Sequence, residues 1–177
     1  MIRIAGLLCG LSLIGAVPVH AEMVVQACFS PVEKCSAHLL REIELAKKEV
    51  LVAVYAFTND DLAMALVQAK KRGVVVRVVI DREYDGATSR SKGKFLESQK
   101  IPVRRLSGVK ANIGEKDAGL MHQKFAVVDG RQVFTGSYNW TRAADHLNDE
   151  NLLLFRDAGA LAGEYRREFF SLWARKS

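Results

Sequence analysis

The chain has 177 residues, of which 26% are charged, and its formal net charge is +6. This length suits one domain with a sizeable core, and the lack of low-complexity linkers or an obvious repeat excludes a repeat protein. The positive balance favours polyanionic partners.

The first 21 residues are typical of an export signal. Arg3 supplies a positive start, residues 4–17 form a mainly apolar stretch, and Val19-His20-Ala21 resembles a cleavage site. An uncleaved membrane anchor is the alternative, but the apolar stretch is shorter than the roughly 20 residues that a spanning helix needs. We therefore expect cleavage between Ala21 and Glu22, a mature domain over residues 22–177 in the periplasm or the medium, and no stable membrane association.

Two cysteines, Cys28 and Cys35, follow this leader. In an oxidising compartment, a pair so close in sequence is expected to form a disulfide. The alternative is a metal-binding pair, which would need two further ligands at suitable spacing, and no other cysteine follows the leader. We therefore predict a disulfide, no metal site and no cofactor.

Apolar runs and helical patterns alternate along residues 22–177, which indicates an α/β domain. Strands are predicted over residues 24–29, 50–57, 74–80 and 101–106. Helices are predicted between them, over residues 31–48, 62–71 and 89–99. Residues 107–119 read as an irregular loop, 150–155 as the last strand, and 158–175 as a helix with an apolar stripe. The predicted fold is a single domain with a mixed, largely parallel β-sheet flanked by helices.

Residues 124–128 and 132–135 flank Asp129-Gly130, a strong signal for an antiparallel hairpin. Because residues two apart in a strand face the same way, His122 and Lys124 should lie side by side, with Gln123 and Phe125 on the other side. This pairing places a nucleophile or base beside a cation. A core imidazole and a solvated lysine remain open as equal alternatives on the spacing alone.

Polar groups are also expected where the hairpin ends, in Gly136-Ser137-Tyr138-Asn139. A hydroxyl, an amide and accessible backbone N–H groups suit phosphate oxygens. Glu150 opens the last predicted strand, and its carboxylate is our choice to accept the second ring N–H of a histidine and fix its tautomer.

A basic run extends from Arg90 to Lys110, with only Glu97 opposing it. Such a run lines a groove for a phosphate backbone or forms an ordinary solvated surface, and alone it favours neither. The candidate substrate-binding residues are Arg90, Lys92, Lys94, Arg104, Arg105 and Lys110.

The spacing His122-x-Lys124-x4-Asp129-x6-Gly136-Ser137, followed by Asn139, resembles the HKD signature of the phospholipase D superfamily. Residues 55–58, Tyr-Ala-Phe-Thr, are similar to that family's approach to its active site. Within the family, the chain looks like the short exported bacterial endonucleases that carry one motif per chain.

This resemblance implies a role for each residue of the motif. His122 attacks phosphorus and forms a covalent phosphohistidine, Lys124 and Asn139 hold the non-bridging oxygens, and Ser137 assists. Glu150 stands where the family's histidine-orienting acid is expected. Asp129 and Gly136 belong to the signature, and we interpret Asp129 as a structural residue that supports the turn. The scheme requires no metal.

In-line displacement also needs a proton donor on the side opposite the nucleophile. Larger members of the superfamily carry two motifs, whereas His-x-Lys occurs once in this chain. We therefore expect a symmetric homodimer that presents His122 from each subunit across a two-fold axis.

The substrate is expected to be DNA or RNA, recognised through its backbone, because the chain is basic and lacks an evident lipid-inserting helix. A phospholipid head group is the main alternative. A metal-dependent nuclease using His122, Asp145, His146 or Glu150 and a non-catalytic DNA-binding protein of the same fold are weaker alternatives.

Overall fold

The computed structural model describes residues 22–109 and 119–176. The leader, residues 1–21, and Lys110 lie outside the described residues. In chain order the elements are β1 (Val24–Ser30), α1 (Cys35–Leu45), β2 (Glu49–Val54), α2 (Asp60–Lys71), β3 (Val75–Asp81), α3 (Arg82–Ala87), α4 (Gly93–Ser98), β4 (Val103–Leu106), β5 (Lys124–Val128), β6 (Gln132–Gly136), α5 (Arg142–His146), β7 (Glu150–Arg156) and α6 (Gly159–Ala174).

Seven strands form one sheet in the order β1-β7-β6-β5-β2-β3-β4. The prediction of a mixed sheet flanked by helices in one domain is confirmed, but the expectation that it is largely parallel is wrong. Only β2–β3 and β3–β4 are parallel pairs, and the other four neighbouring pairs are antiparallel. Helical crossovers join neighbouring strands only among β2, β3 and β4 of the described residues, whereas the hairpin β5–β6 and the strands β7 and β1 add to the sheet in antiparallel register.

The boundaries of α2 follow from local signals in the sequence. The Asn59 side chain accepts a hydrogen bond from the Leu62 backbone N–H at 3.1 Å, which satisfies one free donor of the first turn. Gly73, with φ +92°, follows the helix in the left-handed conformation that glycine adopts without strain. Two short helices, α3 and α5, were not predicted, and α1 begins at Cys35 rather than at Pro31.

Apolar side chains pack on both faces of the sheet. Along β2, Val50, Val52 and Val54 face the cluster that includes residues of α1 and α2, whereas Leu51 and Ala53 face the cluster that includes Phe169 and Leu172 of α6. The centre of the sheet is therefore buried on both faces, which leaves the ends of its strands for polar side chains.

The turn of the hairpin β5–β6 has the predicted geometry. Asp129 and Gly130 both have positive φ, +53° and +66°. The Asp129 carboxylate accepts hydrogen bonds from the backbone N–H groups of Lys47, Lys48 and Glu49, at 2.7–3.2 Å. Asp129 thus joins the turn to the start of β2, which is the structural role expected of it.

Gly136 is also explained by packing. Its φ is +146°, and a Cβ at this position would overlap the backbone carbonyl of Asn151 in the neighbouring strand β7. Only glycine fits this approach between strands.

The predicted disulfide between Cys28 and Cys35 is present, with an S–S distance of 2.08 Å. It joins β1 to the first residue of α1, and both residues are fully buried. No helix within the described ranges is long and apolar enough to span a bilayer.

Candidate active site

His122 lies two residues before the start of β5, at the end of the sheet where β2 also ends. The backbone N–H of Tyr55 donates to the carbonyl of Gln123 at 2.8 Å, which extends the pairing of β2 with β5. The imidazole of His122 packs on the Tyr55 ring, with centroids 4.7 Å apart, and Lys124 Nζ lies 5.2 Å from the centroid of the same ring. His122 and Lys124 therefore share one side of the sheet, as predicted.

The opposite side confirms this alternation. Phe125 packs against Tyr165 of α6, with ring centroids 5.1 Å apart, and Gln123 lies beside the same helix. Lys124 Nζ donates one hydrogen bond to the His122 carbonyl at 2.9 Å. An ammonium has three N–H donors, so two remain for a ligand.

The segment that follows β2 holds the side chain of Asn139 in place. Its side-chain Oδ1 accepts a hydrogen bond from the Ala56 N–H at 3.2 Å, which fixes the amide and leaves its NH₂ group as a donor. The Trp140 N–H donates to the Ala56 carbonyl at 3.0 Å, and the Trp140 carbonyl accepts from Thr58 and Asn59. The orientation of Asn139 is thereby set by residues 56–59.

Ser137 and Glu150 form a separate pair beside the motif. The Ser137 hydroxyl donates to Glu150 Oε2 at 2.5 Å and accepts from the Asn151 N–H at 3.1 Å. The other oxygen of Glu150 accepts from the Asn148 side chain at 3.1 Å.

The expected hydrogen bond from the His122 ring to Glu150 is not formed between these two described residues. The two carboxylate oxygens of Glu150 bond instead to Ser137 and Asn148. Glu150 still acts on the site through its charge, which opposes the lowering of the Lys124 pKa.

A carboxylate that the sequence reasoning missed, Asp81, supports the segment before His122. Asp81 ends β3 and is fully buried. Its two oxygens accept from the Tyr84 N–H at 2.8 Å and from the Met121 N–H at 3.0 Å. Met121 precedes His122, so Asp81 fixes the backbone that carries His122. The signal available in the sequence was an aspartate at the end of a buried strand, in a helix-capping position.

The charges around His122 favour its neutral form. Burial lowers the pKa of the imidazole below its ordinary value, the Lys124 ammonium lowers it further, and Asp81 opposes both. Burial also lowers the pKa of Lys124. Burial and the charge of Asp81 raise the pKa of the Tyr55 phenol, which keeps it protonated. At neutral pH the site therefore offers an unprotonated imidazole beside a cation.

An open cleft of about 920 Å³ adjoins this centre, and we call it the basic cleft. Tyr55, whose ring contacts His122, and Asn139 line it, and its cationic side chains are Arg90, Lys92 and Arg142. Lys92 Nζ pairs with Asp60 at 2.5 Å. The cleft thus contains two of the predicted substrate-binding residues, together with Arg142, which was not predicted.

The other described members of the basic run do not line this cleft. Arg105 is held in ion pairs with Asp85 at 2.6 Å and Glu97 at 2.7 Å. Arg104, its neighbour in β4, donates instead to the carbonyl of Arg175, which follows α6, at 2.7 Å. Lys94 is exposed on α4. The predicted single groove is corrected accordingly, because alternate residues of a strand face opposite sides.

The donor atoms of Cys28, Glu33 and His38 lie within 4.8 Å of one another. The Cys28 sulfur is bonded to Cys35, so it is not a thiolate ligand. Asp145, considered above as a metal ligand, is buried and accepts from the Ser36 N–H and the Tyr138 hydroxyl at 3.1 and 2.7 Å. Its role in this structure is to anchor α5.

Known proteins of one family match this chain. The family model described as cardiolipin synthase, PLD-like domain, matches residues 39–173. A protein named phospholipase D from Rickettsia bellii is 32% identical over 152 residues, which cover 85% of this chain and 70% of the relative. A mitochondrial cardiolipin hydrolase from Danio rerio is 33% identical over 149 residues, covering 83% and 61%.

A solved structure gives the same result. The phospholipase D family member Nuc from Salmonella typhimurium superposes with a TM-score of 0.74 and 32% identity, covering 86% of this chain and 95% of Nuc. Fold, motif geometry and sequence agree, and the chain therefore belongs to the phospholipase D superfamily and is a phosphodiester hydrolase.

Proposed function

We propose that this hydrolase is a metal-independent endonuclease that cleaves DNA or RNA without sequence specificity, through a covalent intermediate on His122. The observation that carries the proposal is the packing of His122 and Lys124 on one ring, that of Tyr55, next to Ala56, which fixes the Asn139 amide. The positive charge of the chain and the basic cleft favour a nucleic acid over a neutral substrate.

The reaction divides into two displacements. The unprotonated ring nitrogen of His122 bonds to phosphorus while the bond from phosphorus to the leaving oxygen breaks, and an acid protonates that oxygen. Water then attacks phosphorus, the P–N bond breaks, and the water gives up its proton to a base. The product is a phosphate monoester, and His122 is restored.

Lys124 and Asn139 stabilise the charge that grows on the non-bridging oxygens. Both donors are held by the protein before substrate binds, Lys124 by the His122 carbonyl and Asn139 by Ala56. Fixed donors of this kind stabilise a transition state without reorganisation. Ser137 and Glu150 lie next to them as a hydrogen-bonded pair, and we assign Ser137 an assisting role.

The acid in this scheme is the imidazole of a second subunit. We infer a symmetric homodimer in which His122 of each subunit faces the same phosphate, because the chain carries a single His-x-Lys. One imidazole acts as nucleophile and the other, protonated, gives its proton to the leaving oxygen.

Mixing experiments test this dimer. When wild-type and His122→Ala subunits are exchanged in varying ratios, activity should follow the square of the wild-type fraction, so that equal amounts leave about a quarter of it. A linear dependence would contradict a shared site. His146 also lines the cleft, so the His146→Gln variant serves as the control. Mixing it with wild-type subunits should not produce the square-law loss of activity.

We further propose that residues 1–21 are removed on export and that residues 22–177 act in the periplasm or the medium. The buried Cys28–Cys35 disulfide supports this proposal, because structural disulfides persist in oxidising compartments. Sequencing the N-terminus of the protein recovered from outside the cytoplasm should give Glu22.

Hydrolysis of a phospholipid head group is the second candidate. It is favoured by the relatives named phospholipase D and mitochondrial cardiolipin hydrolase. The same attack by His122 serves both substrates, because each contains a phosphodiester.

Cleavage assays in excess EDTA separate these functions. Plasmid DNA, RNA and phosphatidylcholine dispersions are offered to the mature wild-type chain, to His122→Ala and to the matched control His38→Ala. We expect nucleic acid to be cut despite the chelator by the wild type and the control but not by His122→Ala. Loss of cutting in EDTA would refute the metal-independent mechanism, and turnover of lipid alone would support the second candidate.

A further inference from the structure

The basic cleft contains two arginines that the reaction chemistry does not use. Arg90 and Arg142 are both exposed and both line the cleft. Within residues 22–109 and 119–176, neither side chain forms an ion pair or a hydrogen bond with another residue. By contrast, Arg105, Arg156 and Arg166 each pair with a carboxylate.

The cleft carries excess positive charge. Asp60 is the one carboxylate among its described lining residues, and it pairs with Lys92. The charges of Arg90 and Arg142 are therefore not neutralised locally. A guanidinium presents a planar fork of N–H donors that matches two oxygens of a phosphate, so this charge suits a phosphodiester oxyanion.

Both walls of the cleft are fixed to the strand end that also holds the reaction centre. On one wall, the Lys92 N–H donates to the Phe57 carbonyl at 2.9 Å. On the other, Asn139 and Trp140 bond to Ala56, and Arg142 follows as the first residue of α5. Only two residues separate Arg142 from Asn139.

Helix α5 is itself anchored from below. The Thr141 hydroxyl accepts from the Ala144 N–H at 3.0 Å, which caps the helix. The carboxylate of Asp145 bonds to Ser36, next to the disulfide at Cys35, and to the Tyr138 hydroxyl. Because the backbone under Arg142 is held before substrate binds, less conformational entropy is lost on binding.

We propose that Arg142 and Arg90 form a second phosphate subsite, which binds the phosphate next to the scissile one on the same nucleic acid strand. Asn139 belongs to the reaction centre and also lines the cleft, so a strand whose scissile phosphate meets Asn139 continues past Arg142. This inference rests on the proposed endonuclease function and names the feature by which the site prefers a chain of phosphates to an isolated phosphodiester.

The test compares two substrates that differ in neighbouring phosphates. A short fluorescent oligonucleotide has them, and bis(para-nitrophenyl) phosphate has one phosphodiester and none beside it. Steady-state kinetics are measured in EDTA for the wild-type mature protein, Arg142→Gln, Arg90→Gln and the control Arg41→Gln. Arg41 is exposed on α1 and lies outside the cleft, so this control removes the same charge elsewhere.

We expect Arg142→Gln to lower kcat/KM for the oligonucleotide about 10-fold more than for the small diester, through a rise in KM, as for loss of a charged hydrogen bond. Arg90→Gln should act in the same direction. For the oligonucleotide, the slope of log KM against log salt concentration should be smaller in Arg142→Gln by about 1, the value for loss of one phosphate contact. Arg41→Gln should treat both substrates as the wild type does.

Two other outcomes would contradict the subsite, and they differ in whether the endonuclease function survives. Equal losses on both substrates, or an oligonucleotide KM that matches Arg41→Gln, would overturn the subsite while the endonuclease function stands. If the wild type hydrolyses the small diester but not the oligonucleotide, the endonuclease function fails and the subsite fails with it.

Discussion

The two ends of the hairpin β5–β6 belong to one sequence motif but differ in what their polar atoms contact. At the turn, both oxygens of Asp129 are bonded to backbone N–H groups of residues 47–49. At the open end, Lys124 and Asn139 are each held by one hydrogen bond and keep further donors for a ligand. A motif residue whose polar atoms are all satisfied by the protein stabilises the fold, and one with free donors is available for chemistry.

The largest effect is expected at Asn139. Asn139→Asp keeps an oxygen that accepts from Ala56 but replaces the NH₂ donors by an anionic oxygen facing the phosphate. Turnover should fall by roughly 10²–10³-fold, the usual loss for one transition-state donor, with an unchanged Tm. Asn148→Asp makes the same chemical change at a side chain bonded to Glu150 and should have a far smaller effect on kcat.

At the turn, the expected effect is on stability instead of turnover. Asp129→Ala leaves the backbone donors of residues 47–49 without their acceptor and should lower the free energy of unfolding by about 1–3 kcal/mol in urea titrations. Asp129→Asn retains an acceptor oxygen and should lose less. A large fall in kcat at a temperature where Asp129→Ala is fully folded would show that the two ends do not differ as described.

Asp81 combines a role in stability with a role in turnover. Both of its oxygens accept hydrogen bonds from the protein, and one of these bonds holds the segment that carries His122. Asp81→Asn turns an NH₂ group toward one of these two N–H donors. We expect kcat to fall about 10-fold, or roughly 1.4 kcal/mol in the barrier, through displacement of the imidazole. A merely structural role would lower Tm but leave the kcat of the folded protein unchanged.

The smallest effect is a shift in the titration of His122. Burial and Lys124 lower its pKa, so the NMR midpoint of its ring, assigned with His122→Ala, should lie below about 6.5. Lys124→Met should raise the midpoint and Asp81→Asn should lower it further. Because the folded pKa is depressed, the folded state binds fewer protons, and stability from this group decreases as pH falls below about 6.5. A midpoint above that value would contradict the electrostatic description.

Local patterns predicted a large part of this molecule. The alternation of β5 placed His122 beside Lys124, Asp129-Gly130 gave the turn, and Cys28 and Cys35 gave the disulfide. Each of these features depends on neighbours in the chain, where the periods of strands and the chemistry of turns are decisive.

Features that depend on strand order were not predictable in the same way. Asp81 and Met121 are 40 residues apart in sequence and meet because β3 ends beside the segment that leads into β5. Arg104 and Arg105 looked like one basic surface, but the pairing of β4 turns them to different partners. Arg142 lines the cleft from α5, a short helix that no periodic pattern indicated and that is anchored through Asp145.

The most direct test of the central claim is capture of the intermediate. The wild-type protein is mixed with bis(para-nitrophenyl) phosphate in EDTA and quenched in alkaline denaturant, which preserves phosphohistidine, and its peptides are mapped by mass spectrometry. The chemistry proposed here requires a nitrophenyl-phosphoryl adduct on His122 that is absent from His122→Ala. Sustained turnover with no adduct, or an adduct on another residue, would contradict nucleophilic attack by His122.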